Sequence, residues 1–141
     1  MKHLAIILTL ALSLSSAAQA GEGHAHSHSH EHIVIPATLP EVRSAITAKQ
    51  SELSAALAAR DAAKAHGVAD FLVAYVKAIP GLMASADATT KQRAEGMAKN
   101  TAKAWQTTVE KADHGEFDQA NAEAAKASAT YKLLEARLPE K

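Results

Sequence analysis

The stretch FDQANAEAAKASATYKLLEARL, residues 117–138, decides the fold class, because its apolar residues recur with helical spacing. They step along the chain by 7, 3, 4, 3 and 4 residues, at Phe117, Ala124, Ala127, Tyr131, Leu134 and Leu138. Such a heptad seam lies on one face of an α-helix. The stretch therefore predicts an amphipathic helix that packs against other helices.

Three further amphipathic segments precede this one. Thr38 and Glu41, with Pro40 between them, form a capping-box pattern with a proline in the first turn, which predicts a helix start. Pro80 is expected to end the second helix, because proline cannot donate the next backbone hydrogen bond. The third segment has the weakest apolar face, and Trp105 is expected at its edge. The sequence thus predicts four helices, over about 38–60, 62–79, 87–112 and 117–138.

Four amphipathic helices joined by short loops predict an all-α fold, an antiparallel up-down four-helix bundle over residues 38–141. Residues 41–141 contain 27 alanines and only five aromatic residues. Alanine favours a helix but has little area to bury. We therefore expect close helix packing and modest stability.

The first twenty residues, MKHLAIILTLALSLSSAAQA, have the pattern of a secretory signal peptide. Lys2 precedes an apolar run from Leu4 to Leu14, and the small residues Ala18 and Ala20 predict cleavage after Ala20. The mature protein, residues 21–141, is expected in the periplasm, with no membrane insertion after cleavage.

The charge balance and the lack of cysteine exclude several functions. Removal of Lys2 reduces the 15 Lys and Arg residues to 14, against 15 Asp and Glu residues, so the mature net charge is −1. A chain this balanced has no electrostatic footprint for nucleic acid or an anionic membrane. Without cysteine there is no disulfide, thiolate metal site or thiol chemistry.

Between the signal and the helices, residues 21–37 form a predicted disordered, His-rich tail and extended linker. Its histidines occupy every second position, at His24, His26, His28, His30 and His32. Neutral imidazole binds Zn(II), Cu(II), Ni(II) and Co(II), so the tail predicts a site for divalent transition metal. The alternative is a solvated linker of accidental composition.

Two more histidines of the mature chain lie near helix ends. His66 is in the first turns of the second helix, and His114 follows the third. In an up-down bundle these two ends share a pole, where acidic residues also gather, so a second metal site is one interpretation. The other is that both are ordinary polar residues beside helix caps.

The motifs of common enzymes and cofactor proteins are missing. Covalent haem needs C-x-x-C-H, and a di-iron bundle needs Glu-x-x-His pairs; neither occurs. H-E-x-x-H, P-loop, Gly-rich nucleotide and nucleophile patterns are also absent. The sequence therefore predicts a protein that is not an enzyme.

Two family resemblances bear on the fold and function. The segment HGEFDQANAEAAKASATYKLLEARL resembles the last helix of the cytochrome b562 and cytochrome c′ bundles, in which a histidine near the end of that helix holds haem. Lys132 stands at that position here, so this resemblance implies the bundle without haem.

The second resemblance covers most of the mature chain. Its signal peptide, its histidines, HIVIPATLPEV and the segment KAHGVADFLVAYVKAIP are similar to small periplasmic proteins found beside heavy-metal efflux pumps. This resemblance implies a metal buffer, chaperone or accessory of an efflux system, with an efflux or sensor protein as partner. The competing hypothesis is a protein-interaction module that uses an aromatic surface of Phe71, Tyr75 and Trp105; a haem-binding bundle ranks third.

Overall fold

The computed structural model describes residues 32–139. Within this part the chain forms four α-helices and no β-strand, which confirms the all-helical class. The helices are α1, Leu39–Ala58; α2, Ala62–Leu82; α3, Ala88–Asp113; and α4, Phe117–Glu135. The predicted signal peptide and residues 21–31 of the predicted tail lie outside the described residues.

Side-chain caps start the first three helices. The predicted capping box at α1 is confirmed: Thr38 Oγ1 accepts from the Glu41 amide at 3.4 Å, and the Thr38 amide donates to the Glu41 carboxylate at 3.1 Å. Asp61 and Asp87 cap α2 and α3, each accepting from the amide three residues later at 2.9 Å. These bonds satisfy amides that have no partner within the helix.

The predicted end of α2 is wrong. The helix continues past Pro80 to Leu82. Proline lacks only its own backbone donor, and just two helical residues, Gly81 and Leu82, follow it. Burial holds the last turn in place, since Ile79 and Met83 are 0% and 1% exposed.

The helices α1 and α3 end in the same type of turn. In each, an amide donates to the carbonyl oxygen five residues earlier at 2.9 Å, from Asp61 to Ala56 and from Glu116 to Lys111. The turn requires one residue with positive φ. Gly115 supplies it after α3, with φ 74°, and Arg60 after α1, with φ 55°. The first helix therefore ends at Ala58, two residues before the predicted end.

Two alanine substitutions are expected to change the free energy of unfolding in opposite directions. Gly115→Ala places a Cβ on a left-handed residue and is expected to destabilise the protein by about 1 kcal/mol. Gly96→Ala, inside α3 with open space around the added Cβ, is expected to stabilise it by about 0.5–1 kcal/mol. Urea denaturation followed by circular dichroism measures both; equal effects would contradict the turn geometry.

One core lies between the helices. Consecutive helices pack against each other, and α4 also contacts α1. Four residues of the predicted α4 seam are buried, while Phe117 and Ala124 are half-buried. The largest fully buried side chains include Trp105, Tyr131, Ile46, Leu57, Leu72, Ile79, Met83 and Leu134.

Trp105 lies inside this core, so its predicted place at the edge of the α3 stripe is wrong. Its side chain is 0% exposed, and its ring centroid lies 6.1 Å from that of Tyr131 on α4. Ala98 and Ala102 are buried on the same face of α3. Thr101 and Thr108 are buried beside it, and their hydroxyls donate to carbonyl oxygens of α3 at 2.9 and 3.0 Å.

The buried phenol of Tyr131 makes the fold sensitive to alkaline pH. Burial, with a smaller contribution from the Glu135 charge, raises the pKa of Tyr131 to about 12, against a lesser opposite effect of Arg43. The neutral phenol is favoured in the folded state. Its contribution to stability is therefore fully present below the unfolded pKa of about 10 and is lost as the pH rises toward 12.

At pH about 11 this ionisation is expected to lower the free energy of unfolding by about 1.4 kcal/mol. Tyr131→Phe removes the titrating group, so its alkaline loss of stability should be smaller by that amount. Urea denaturation of both proteins at neutral pH and at pH about 11 gives the difference. If the free energy of unfolding falls equally in the two proteins between neutral pH and pH about 11, ionisation of Tyr131 does not destabilise the fold.

Candidate functional site

The tail meets the folded domain at a fixed point. His32, the only one of the five tail histidines among the described residues, is exposed. His24, His26, His28 and His30 lie outside them. Ile33, the next residue, is half-buried and packs against the core, and Leu39 at the start of α1 is 6% exposed. Ile33 therefore anchors this end of the linker, and the exposed His32 directly precedes it.

An ion pair joins the start of α1 to the end of α4. Arg43 Nε, in the second turn of α1, is 3.1 Å from Glu135 Oε1 in the last turn of α4. Each side chain is about one-third exposed, so the pair contributes at most about 1 kcal/mol. The pair shows that the start of α1, which the linker precedes, lies beside the end of α4.

The second predicted site contains one contact between helices. His66 Nδ1 lies 3.2 Å from Asp113 Oδ2. This contact joins the second turn of α2 to the last residue of α3. His114 is exposed at the C-cap of α3. Within residues 32–139 there is no group of three or more His, Cys, Asp or Glu side chains that could hold a metal ion. A metal site at His66 and His114 therefore stays a prediction.

The His66–Asp113 pair lines a groove of about 350 Å³ between α2 and α3, here called the histidine groove. Asp70 and Glu110 also line it. Neither carboxylate is among the site residues predicted from the sequence. Their positions could have been read from helical spacing, because Asp70 follows His66 by four residues and Glu110 precedes Asp113 by three.

Next to Asp113, the turn after α3 holds a local charge pair. Lys111 Nζ lies 2.7 Å from Glu116 Oε2. This hydrogen bond lowers the pKa of Glu116 below its ordinary value, with smaller help from the charges of Lys111 and His114. The Glu116 carboxylate is thus already neutralised by Lys111.

The predicted aromatic docking surface is wrong. Trp105 and Tyr75 are 0% and 7% exposed, so neither ring is available to a partner. Phe71 is half-buried and contacts Tyr75 edge-on, with ring centroids 6.0 Å apart. Lys49 Nζ lies 4.7 Å from the Phe71 ring centroid. Trp105 and Tyr75 belong to the core, and Phe71 packs against it. The three rings supply volume that the many alanines of the core lack.

Another groove, of about 820 Å³, lies farther along α2 and α3. It shares Gln106 and Glu110 with the histidine groove. Its lining includes three lysines, Lys77, Lys99 and Lys103, and it is called the lysine groove below. No lysine of this set forms an ion pair within residues 32–139.

None of the four helices in the described part of the chain is both long and apolar enough to cross a membrane.

The chain was compared with protein-family models, curated proteins and solved structures. No family model matches it, and no significant match was found among the curated proteins or the solved structures.

Proposed function

We propose that the mature protein binds divalent transition metal, Zn(II), Cu(II), Ni(II) or Co(II), in the periplasm. One observation carries the proposal: five of the seven histidines of residues 21–141 fall within nine residues, at alternate positions. These ligands are His24, His26, His28, His30 and His32. The role is that of a buffer, chaperone or accessory of metal efflux, and it is not catalytic.

Imidazole chemistry supports this assignment. Alternate residues of an extended strand point the same way and lie about 6.5 Å apart, too far to share one ion. Gly, Ala and Ser between the rings allow the chain to bend, so that two to four rings bind the same ion. Several overlapping ligand sets are then available. This arrangement suits capture and transfer of an ion better than a permanent structural site.

The folded domain is proposed to carry the tail. His32 is exposed and Ile33 packs against the core, which supports a tail that starts from the surface of the domain. We further propose an up-down antiparallel arrangement of the four helices. The pairs His66–Asp113 and Arg43–Glu135 each join the first turns of one helix to the last turn of another, which favours that topology.

Export is part of the proposal. The apolar run and the A-x-A pattern of residues 1–20 favour a cleaved signal peptide and a periplasmic mature chain. Mass spectrometry of the protein recovered from a periplasmic fraction would give the mature N-terminus. A mass that begins at Gly21 supports the assignment, whereas an intact residue 1 contradicts it.

Calorimetric titration with each of the four metals at neutral pH tests the metal site. The mature protein is compared with a variant in which all five tail histidines are serine, and with the control His66→Ser/His114→Ser. The five-serine variant is expected to lose at least about a hundredfold in affinity, since removing a residue that only supports a metal ligand already costs about tenfold or more. The control should bind within about twofold of the wild type. The reverse pattern would move the site to α2 and α3.

A second function, a protein-interaction module, is favoured by the lysine groove. Its size, about 820 Å³, suits a segment of another protein. Three lysines, none in an ion pair within residues 32–139, line it against two carboxylates, Glu95 and Glu110, which favours an acidic segment. If a partner is recovered equally well by wild type and five-serine variant, and Lys99→Glu/Lys103→Glu abolishes recovery, metal binding is incidental. If only the five-serine variant fails to recover the partner, the result supports the metal-dependent role.

A further inference from the structure

A separate cleft lies between the first turns of α3 and the last turns of α4. It has about 390 Å³, within the size range of small-molecule sites, and is called the arginine cleft here. Its lining residues are Thr90, Arg93, Ala94, Met97, Leu134 and Arg137. It shares no lining residue with the histidine or lysine groove.

One arginine stands on each wall of this cleft, Arg93 from α3 and Arg137 just after α4. Both are exposed, and neither pairs with a carboxylate within residues 32–139. Of the acidic residues near them in sequence, Asp87 caps α3 and Glu135 pairs with Arg43, while Glu95 lines the lysine groove. Two guanidinium groups at one cleft repel each other, and an anion between them removes that repulsion.

The rest of the lining is largely apolar. Leu134 and Ala94 are 0% and 5% exposed, and Met97 is half-buried. The Thr90 hydroxyl donates to Asp87 Oδ2 at 2.7 Å, so it is already committed as a donor. Hydrogen bonds to an anion must therefore come from the two guanidinium groups, whose planar fork matches a carboxylate.

We propose that the arginine cleft binds a carboxylate with a short apolar body. The carboxylate lies between Arg93 and Arg137, and the apolar body covers the half-buried Met97. Inorganic phosphate satisfies the guanidinium groups but leaves the exposed part of Met97 in water. The cleft therefore selects for ligands that have both parts. This site does not depend on metal binding by the tail.

Methionine methyl NMR of the mature protein tests the proposal. Met97 lines the cleft, and Met83, 1% exposed and outside the lining, is the internal reference. Octanoate, acetate and phosphate are the probes. Octanoate is expected to shift the Met97 methyl saturably and to bind at least about tenfold more tightly than acetate, since each well-buried methylene contributes about fourfold. The Met83 methyl should move less.

Single charge removals identify the anion contacts. Arg93→Gln and Arg137→Gln are each expected to weaken octanoate binding about tenfold or more, the usual effect of losing a charge-assisted hydrogen bond. Lys132→Gln, which removes an exposed charge of α4 outside the cleft, is the matched control and should change affinity less than about twofold. Circular dichroism confirms that each variant is folded.

Three results would overturn the proposal. The first is a Met97 methyl that octanoate does not move. The second is phosphate binding as tightly as octanoate, which would make the cleft an anion site without use for its apolar lining. The third is equal weakening by Lys132→Gln and Arg137→Gln, which would reduce the effect to general attraction. The wild-type comparison of the three probes stands even if an arginine variant fails to fold.

Discussion

Lowering the pH from about 7.5 to about 5.5 is expected to weaken Zn(II) binding to the mature protein about a thousandfold. An imidazole ligand must be neutral, and an ordinary ring in water titrates near pH 6.5. Between these two pH values the neutral fraction of one such ring falls about tenfold. With three rings on one ion, the reductions multiply.

Calorimetry at several pH values measures this slope, and the five-serine variant serves as the control that should lack it. A steep fall between pH 7 and 5.5 indicates that protons compete with the metal for several imidazoles. A change of less than about tenfold over the whole range would mean that carboxylates, which titrate near pH 4, hold the ion instead. Asp70, Glu110 and Asp113 of the histidine groove would then be the residues to replace.

The largest effect on stability is expected for Trp105→Ala, a loss of about 3–5 kcal/mol in the free energy of unfolding. The indole is 0% exposed and packs beside Tyr131. The buried residues that precede it on the same face of α3, Ala98 and Ala102, are too short to fill the space that would be left. A loss of this size is a large fraction of the stability of a small domain, about 5–15 kcal/mol.

Urea denaturation monitored by circular dichroism measures this loss. Leu133→Ala, at an apolar side chain that is 62% exposed, is the matched control and should change stability by less than about 0.5 kcal/mol. Tyr131→Phe keeps the ring volume and removes a hydroxyl that is buried without a hydrogen-bond partner in the described part of the chain, so it should be neutral or stabilising. Similar losses for Trp105→Ala and Leu133→Ala would contradict the assigned core.

The helix starts could be predicted from sequence because capping is local. The residues that satisfy the first amides of α1, α2 and α3 precede them directly, at Thr38, Asp61 and Asp87. Helix ends depend on packing. The last turn of α2 continues past Pro80 because Ile79 and Met83 are buried against other helices, and no local pattern reports that.

The position of Trp105 shows a second limit. The buried face of α3 consists mainly of small residues, alanine and threonine, so apart from Trp105 no row of large apolar side chains marks its centre. A shift of one position along such a stripe moves Trp105 from the edge to the centre. The volume of an indole among alanines was the better guide to its burial.

The candidate sites differ in how far sequence alone could predict them. The tail histidines can be recognised from the sequence alone, because all five lie within nine consecutive residues and need no fold to bring them together. The sequence placed His66 near an acidic pole, but Asp113 as its partner depends on the packing of α2 against α3. The arginine cleft had no sequence signal, since Arg93 and Arg137 belong to different parts of the chain and meet only through the fold.

Histidine side-chain NMR of the wild-type mature protein, titrated with less than one equivalent of Zn(II) at neutral pH, tests the central claim most directly. The five tail rings, His24, His26, His28, His30 and His32, are predicted to shift first and together, while His66 and His114 keep their positions until the tail is saturated. If His66 or His114 shifts first and the tail rings do not move, the tail is not the metal site.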